Sequence, residues 1–122
     1  MKVMLVDDEV EFITALAERL RLRGYETSCA TTGEEALRLT REKEHDVAIL
    51  DVKMPGLSGI DLMEQMHALR PALQFIFVTG HGSENDFQEC SRKGLCETII
   101  KPIKIEELVK QIEHASRARS RK

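Results

Sequence analysis

The sequence has 122 residues, which fits a single domain, and 42% of them are hydrophobic, which is enough for a buried core. The formal net charge of −3 argues against a domain whose bulk binds nucleic acid or anionic lipid. No apolar run approaches the ~20 residues that span a bilayer, and Met1 leads into strand-like residues rather than a secretory signal, so we expect a cytoplasmic protein.

Short apolar segments predict five β-strands. The first, third and fourth are continuous apolar blocks, which are typical of parallel strands covered on both faces. The second alternates and the fifth is shorter, so we expect these two at the edges of the sheet. The segments are residues 3–6, 25–30, 47–50, 75–78 and 98–100.

Five segments with helical spacing of apolar residues alternate with these strands. The first carries an apolar stripe at Phe12, Ile13, Leu16, Ala17 and Leu20 and ends at Arg23-Gly24. The second opens at Thr32 with capping-box spacing, and the third opens at Ser58 and stops before Pro71. The fourth predicted helix opens at Ser83 and is poor in apolar residues. The fifth carries a regular apolar stripe at Ile105, Leu108, Val109 and Ile112.

Strands that alternate with helices imply right-handed crossovers and a parallel sheet. We therefore predict an α/β fold: a flavodoxin-like (βα)5 doubly wound parallel five-stranded sheet with the order 2-1-3-4-5. The domain is expected to cover residues 1–116, and residues 117–122, which are rich in Arg, Lys and Ser, are expected to form a basic tail or the start of a linker.

Polar residues interrupt the pattern at the carboxyl ends of the strands. Asp7 and Asp8 follow the first strand, Asp51 the third, Thr79 the fourth and Lys101 the fifth. Ligands of open α/β sheets bind at this edge, near the point where the strand order reverses, so we expect the five side chains to converge. Carboxylates packed this closely repel one another, and a hard divalent cation removes the repulsion. All-oxygen ligands favour Mg²⁺, which prefers a phosphate partner.

The remaining groups suit a phosphoryl group bound beside the metal. Lys101 adds a positive charge and Thr79 a hydroxyl donor, and phosphoryl transfer needs mainly positioning and charge neutralisation. Asp51 lies at the end of a central strand, whereas Asp7 and Asp8 are adjacent on one turn and suit metal binding. Asp51 is therefore the candidate nucleophile, and its product would be an aspartyl phosphate.

The set Asp7-Asp8, Asp51-Val52-Lys53-Met54-Pro55-Gly56, Thr79-Gly80 and Lys101-Pro102 resembles the signature of bacterial two-component response regulator receiver domains. The resemblance runs from about Lys2 to Ala115, nearly the whole chain.

Carried over position by position, the resemblance implies a phosphoacceptor at Asp51 and Mg²⁺ held by Asp7, Asp8, Asp51 and the backbone carbonyl of Lys53. It implies that Thr79 and Lys101 contact the phosphoryl oxygens and that the Lys101-Pro102 bond is cis. The implied donor is a histidine kinase, a phosphotransfer protein or a small phosphodonor. The surface of the fourth predicted helix, fifth strand and fifth predicted helix would then switch its affinity for an effector or output domain, with transcription control or another pathway as output. Such a switch also allows a phosphorylation-dependent dimer, and it requires neither a membrane nor direct nucleic-acid binding by this domain.

Some positions depart from the family pattern or have no assigned role. Three residues before Lys101 the family usually places Tyr or Phe, whose ring turns inward on activation, but this chain has Thr98. Coupling would then run through Thr79 and backbone shifts alone. Lys53 and His81 flank the site; they either influence the lifetime of the phosphoaspartate or are solvated loop residues. The other histidines, His45, His67 and His114, fit exposed helical or loop positions.

Two other functions suit a fold of this kind. A Mg²⁺-dependent phosphatase or phosphotransferase that turns over an external substrate would need an acid–base carboxylate two residues after the nucleophile, where this chain has Lys53. A flavin-binding electron carrier would need a Ser/Thr-rich loop after the first strand, where this chain has Asp7-Asp8-Glu9. We therefore expect a phosphoacceptor switch that assists only its own phosphorylation and dephosphorylation.

Overall fold

The structure, a computed structural model, describes residues 1–51, 58–79 and 96–120; for Thr79, Cys96 and residues 118–120 it describes the backbone alone. The fourth predicted helix and the backbone carbonyl of Lys53 lie outside the described residues. The last helix, α4, is the fifth predicted helix. In chain order the described elements are β1 (Lys2–Val6), α1 (Val10–Leu22), β2 (Glu26–Ala30), α2 (Gly33–Glu42), β3 (Val47–Asp51), α3 (Gly59–Leu69), β4 (Gln74–Thr79), β5 (Cys96–Ile100) and α4 (Ile105–Ser120).

The five strands form one parallel sheet in the order β2-β1-β3-β4-β5, so the predicted fold and strand order are confirmed. The strands extend one or two residues beyond most of the apolar blocks, because the backbone ladder continues through polar positions such as Gln74 and Asp51. The two edge strands are β2 and β5, as their weaker apolar pattern predicted.

Apolar side chains cover both faces of the sheet. Along β1, Val3 and Leu5 belong to one buried layer, whereas Met4 and Val6 belong to the other. The first layer includes residues of α1 and α4, and the second includes residues of α2 and α3. The fold is therefore doubly wound, and the carboxyl ends of β1 and β3 lie between two helical layers.

Local signals in the sequence explain where the helices begin and end. The Thr32 Oγ1 accepts a hydrogen bond from the Glu35 N–H at 3.1 Å, and the Ser58 Oγ accepts one from the Asp61 N–H at 3.1 Å. Gly24, with φ of 90°, follows the end of α1. Among the described helices, none combines the length and apolar character needed to cross a bilayer.

The expectation that His45 is exposed was wrong. Its side chain is buried, with only 3% of the residue exposed. The ring nitrogens lie 3.2 Å from the Lys43 carbonyl oxygen and 3.2 Å from the Ser28 Oγ, so the polar atoms of the ring have partners inside the fold. His114 is exposed as expected, and His67 is half-buried, with its ring edge-on to that of Phe75.

Candidate functional site

The central strands bring the acidic residues together. Val6 of β1 is in register with Leu50 of β3, so Asp7 and Asp51, the next residues along, lie side by side at the same edge of the sheet. The Asp7 N–H donates to the Ala30 carbonyl oxygen at 3.1 Å, which ties this position to β2 as well. The backbone of three strands therefore determines where the Asp7 carboxylate lies.

Three carboxylates form a candidate metal site. One oxygen each of Asp7, Asp8 and Asp51 lies within 4.8 Å of the others. Asp7 is buried, Asp8 is exposed, and the Asp51 side chain is only 11% exposed. This combination presents oxygen ligands to one small volume and leaves one side open to water, as suits a cation that keeps part of its hydration shell.

The charges around Asp7 are not fully balanced. Burial raises the pKa of the Asp7 carboxyl above its ordinary value. The hydrogen bond from the Glu9 N–H, at 2.9 Å, lowers that pKa, whereas the negative charge of Asp51 raises it again and Lys101 lowers it. The net effect is a raised pKa, so the fold holds this carboxylate charged at a cost that a bound cation would relieve.

Lys101 lies among three carboxylates. Its Nζ is 3.4 Å from the Asp7 Oδ2, 3.4 Å from the Glu9 Oε1 and 3.9 Å from the Asp51 Oδ2. Burial alone would lower the pKa of the ammonium, but the negative charges of Asp7, Asp51 and Glu9 together raise it. Lys101 is therefore a cation at neutral pH, and it lies slightly closer to Asp7 and Glu9 than to Asp51.

Two contacts of Lys101 were not predicted from the sequence. Glu9 was seen only as part of an acidic run, and Phe12 only as one position of the apolar stripe of α1. In the structure the Lys101 Nζ lies 4.7 Å from the centroid of the Phe12 ring, in addition to its contact with Glu9. A lysine at the end of an edge strand gives no sequence signal for the helix residues it will contact, so only the tertiary arrangement reveals them.

The remaining predicted site positions are described in part. The Thr79 backbone lies at the same edge of the sheet, since Asp51 is in register with Val78 and Thr79 with Ile100. The Lys101-Pro102 peptide bond is cis, as the resemblance implied. Thr98, at the position where the family usually has an aromatic residue, is exposed. The site therefore combines an acidic cluster fit for a hard divalent cation with an amine that can neutralise an anionic ligand.

Comparisons with known proteins show which family and which solved structures this chain resembles. Residues 3–113 match the family model of the response regulator receiver domain. A structure of a response regulator receiver domain protein from Clostridium thermocellum is 30% identical, covers 98% of this chain and 96% of its own, and superimposes with a TM-score of 0.91. A CheY-like receiver domain protein from Methanospirillum hungatei is 28% identical and also has a TM-score of 0.91, with 98% and 96% of the two chains covered.

Some relatives carry this kind of domain within a longer protein. The transcriptional regulatory protein ZraR of Salmonella typhimurium is 33% identical over 113 residues, which are 93% of this chain and 26% of that protein. A cyclic di-GMP phosphodiesterase of Thermotoga maritima is 33% identical over 119 residues, which are 98% of this chain and 32% of that protein. The chain thus spans about a third or less of the length of these two relatives.

Proposed function

Because the chain belongs to the response regulator receiver domain family of two-component systems, we propose that it accepts a phosphoryl group on Asp51 and signals through that modification. The observation that carries the proposal is the convergence of three carboxylates and one ammonium at the edge of the sheet. Receiver domains bind Mg²⁺ at such an acidic pocket. The proposed ligands are Asp7, Asp8, Asp51 and the backbone carbonyl of Lys53.

The positions of the three aspartates favour Asp51 as the acceptor. Asp7 lies beside Asp8 on the turn after β1, where two adjacent carboxylates suit metal binding, and it accepts the Glu9 N–H through Oδ1 and the Lys101 ammonium through Oδ2. Asp8 is exposed, where water solvates a carboxylate and weakens it as a nucleophile. Asp51 ends a central strand, is mostly buried, and has Lys101 at 3.9 Å. These differences support nucleophilic attack by Asp51 and a supporting role for Asp7 and Asp8.

In the proposed reaction an Asp51 carboxylate oxygen bonds to phosphorus while the bond from phosphorus to the donor breaks. The donor is a phosphohistidine of a histidine kinase or phosphotransfer protein, or a small acyl phosphate. Mg²⁺ bound by the acidic cluster would neutralise charge on the phosphoryl oxygens. Lys101 neutralises another part of that charge, and Thr79 donates a hydrogen bond. The chain in this proposal turns over no external substrate and assists only its own phosphorylation and dephosphorylation.

The output of the switch is proposed to be a change of surface. Phosphorylation adds about −1.5 to −2 charge at Asp51, and Lys101 and Thr79 move toward the new oxygens. The segment after Thr79, with the fourth predicted helix, then moves relative to β5 and α4 and changes their affinity for an effector, an output domain or a second copy of the chain. Thr98 is small and exposed, so this coupling needs no aromatic rotamer change at that position.

The same proposal includes the bounds of the domain, its location in the cell and the kind of output it controls. We place the receiver unit at residues 1–116 and a linker or tail at residues 117–122, in the cytoplasm, with no direct contact to nucleic acid or membrane. Helix α4 continues to Ser120, so the start of that tail is helical. The relatives are named as a transcriptional regulator and a phosphodiesterase, which supports an output carried by another domain or protein.

Intact mass after incubation with acetyl phosphate and Mg²⁺ tests the proposal. The chain should gain one adduct of ~80 Da, the mass of one phosphoryl group, and Asp51→Asn should abolish it. Asp46→Asn is a matched control, because Asp46 directly precedes the same strand, at the end opposite Asp51, and its carboxylate accepts the Lys2 N–H at 2.8 Å. This control should retain the adduct. An adduct of equal yield on Asp51→Asn would refute Asp51 as the acceptor.

A further inference from the structure

The Lys101 ammonium lies over the ring of Phe12, with 4.7 Å between Nζ and the ring centroid. We propose that Phe12 is a positioning residue for Lys101, which holds the ammonium beside Asp51 ready for the incoming phosphoryl group. This inference rests on the proposed function, since it assigns Phe12 a part in phosphoryl acceptance. It concerns a residue of the apolar stripe of α1 that composition and spacing alone assign to the core.

The surroundings of Phe12 differ from those of the rest of that stripe. Ile13, Leu16, Ala17 and Leu20 are buried, whereas Phe12 is only partly buried. Its ring packs against the core layer of α1 and α4 and also lines a small cavity together with Asp7 and Asp51. The core fixes the ring, and the ring extends to the acidic site. Because the core fixes its ring, Phe12 can restrict the position of the long Lys101 side chain.

The chemistry of an aromatic ring suits this task better than another ion pair would. The ring face attracts a cation through its quadrupole and accepts none of the three N–H bonds strongly, so those donors stay available for oxygen atoms. Asp7 and Glu9 hold the ammonium at 3.4 Å each, but they would compete with a phosphoryl group for it. The attraction to the ring depends only weakly on where over the ring face the cation lies, so Nζ can move from Asp7 toward Asp51 while it stays in contact with the ring.

The contact itself is tested by NMR of the unphosphorylated chain labelled with ¹³C-lysine. The Lys101 ε-methylene protons, assigned with Lys101→Arg, should resonate upfield of the other lysines because of the Phe12 ring current. In Phe12→Leu, which keeps an apolar side chain but has no ring, this shift should disappear. A Lys101 resonance that is unshifted in the parent chain, or identical in Phe12→Leu, would overturn the proposal.

The positioning role is tested by the rate of adduct formation with acetyl phosphate and Mg²⁺. Phe12→Leu should slow phosphorylation about two- to five-fold, as expected for loss of a partly exposed cation–π contact, and Phe12→Tyr, which restores a ring, should recover the rate. Tyr25→Leu is the control, because Tyr25 is another partly buried aromatic residue packed on the same core layer. It should leave the rate unchanged.

The outcomes separate this proposal from the proposed function. Equal slowing in Tyr25→Leu, or no recovery in Phe12→Tyr, would show that the core layer matters rather than the ring, and would overturn the positioning role. If the parent chain itself gains no adduct, the proposed function fails and the positioning role fails with it, while an upfield Lys101 signal would still establish the contact between ring and ammonium.

Discussion

The strongest energetic prediction concerns Asp7, whose charge is costly in the metal-free fold. Asp7→Asn removes that charge, and the amide oxygen can still accept the Glu9 N–H that Asp7 accepts at 2.9 Å. Because burial and Asp51 raise the pKa of Asp7, the charged form is less favourable in the folded chain than in the unfolded chain. Its penalty is absent at low pH and grows as the pH rises through the raised pKa. The substitution should therefore stabilise the chain at neutral pH.

The magnitude follows from the distances. Two unit charges 4.8 Å apart, the upper limit between oxygens of this cluster, repel by about 3.5 kcal/mol at an effective dielectric constant of ~20 and by about 1 kcal/mol in water. Asp7→Asn also loses the attraction of Lys101, about 5 kcal/mol at 3.4 Å and the same effective dielectric constant of ~20. The cost of burying the charge and the repulsion by both Asp51 and Asp8 outweigh this attraction, as the raised pKa of Asp7 indicates. We therefore expect Asp7→Asn to raise the free energy of unfolding by about 1–2 kcal/mol in EDTA.

In the presence of magnesium, the parent chain should be more stable than Asp7→Asn. A ligand that binds only the folded state stabilises it by about 2.7 kcal/mol at 100 times its Kd, and Asp7→Asn removes one of the proposed ligands. The assay is urea unfolding of both chains at pH 7.5, in EDTA and across a MgCl₂ titration. Glu18→Gln, an exposed carboxylate on α1, is the charge control and should follow the parent chain. A less stable Asp7→Asn chain in EDTA, or equal magnesium stabilisation of both, would refute the reasoning.

Glu9→Gln releases Lys101 from a competing carboxylate at 3.4 Å and should speed phosphorylation by acetyl phosphate about two- to five-fold, the range of exposed ion pairs. Glu11→Gln, which removes an exposed carboxylate two residues later, should not speed it, and equal effects of the two substitutions would argue for general charge repulsion. Burial lowers the pKa of His45 below its ordinary value of 6.5, so the folded chain excludes a proton that the unfolded chain binds, and the free energy of unfolding should fall as pH drops below about 6.5. Urea unfolding at pH 7.5 and 5.5 should show a smaller drop for His45→Gln, and an unchanged drop would contradict this origin. Thr32→Ala removes the cap on the Glu35 N–H and should cost about 1 kcal/mol in urea unfolding without slowing phosphorylation; no loss of stability would show that water replaces the cap.

The features of the fold that could be predicted were those encoded by local pattern. Continuous apolar blocks indicated the central strands, the weaker segments indicated the edges, and Thr32 and Ser58 indicated helix starts that the structure confirms. The convergence of Asp7 and Asp51 followed from strand order alone, because parallel strands place their carboxyl ends at one edge.

The features that could not be predicted depend on partners distant in sequence. His45 looked like a polar loop residue, and its burial depends on Ser28 of β2, which supplies a partner for its ring. The contacts of Lys101 with Glu9 and Phe12 depend on how the chain leaves β5 and on the direction of a flexible side chain. Neither leaves a periodic signal in the sequence.

The alternation of burial along β1 has a consequence for which changes the chain can tolerate. Val3 and Leu5 fill one layer and Met4 and Val6 the other, and Asp7 comes next. Deleting or inserting a single residue in this strand would turn its side chains to the opposite face of the sheet and would shift the Asp7 carboxylate relative to Asp51. The chain can therefore accommodate substitutions in β1 by repacking, whereas the number of residues in the strand before Asp7 must stay constant. We expect insertions and deletions to be confined to the segments that connect strands and helices.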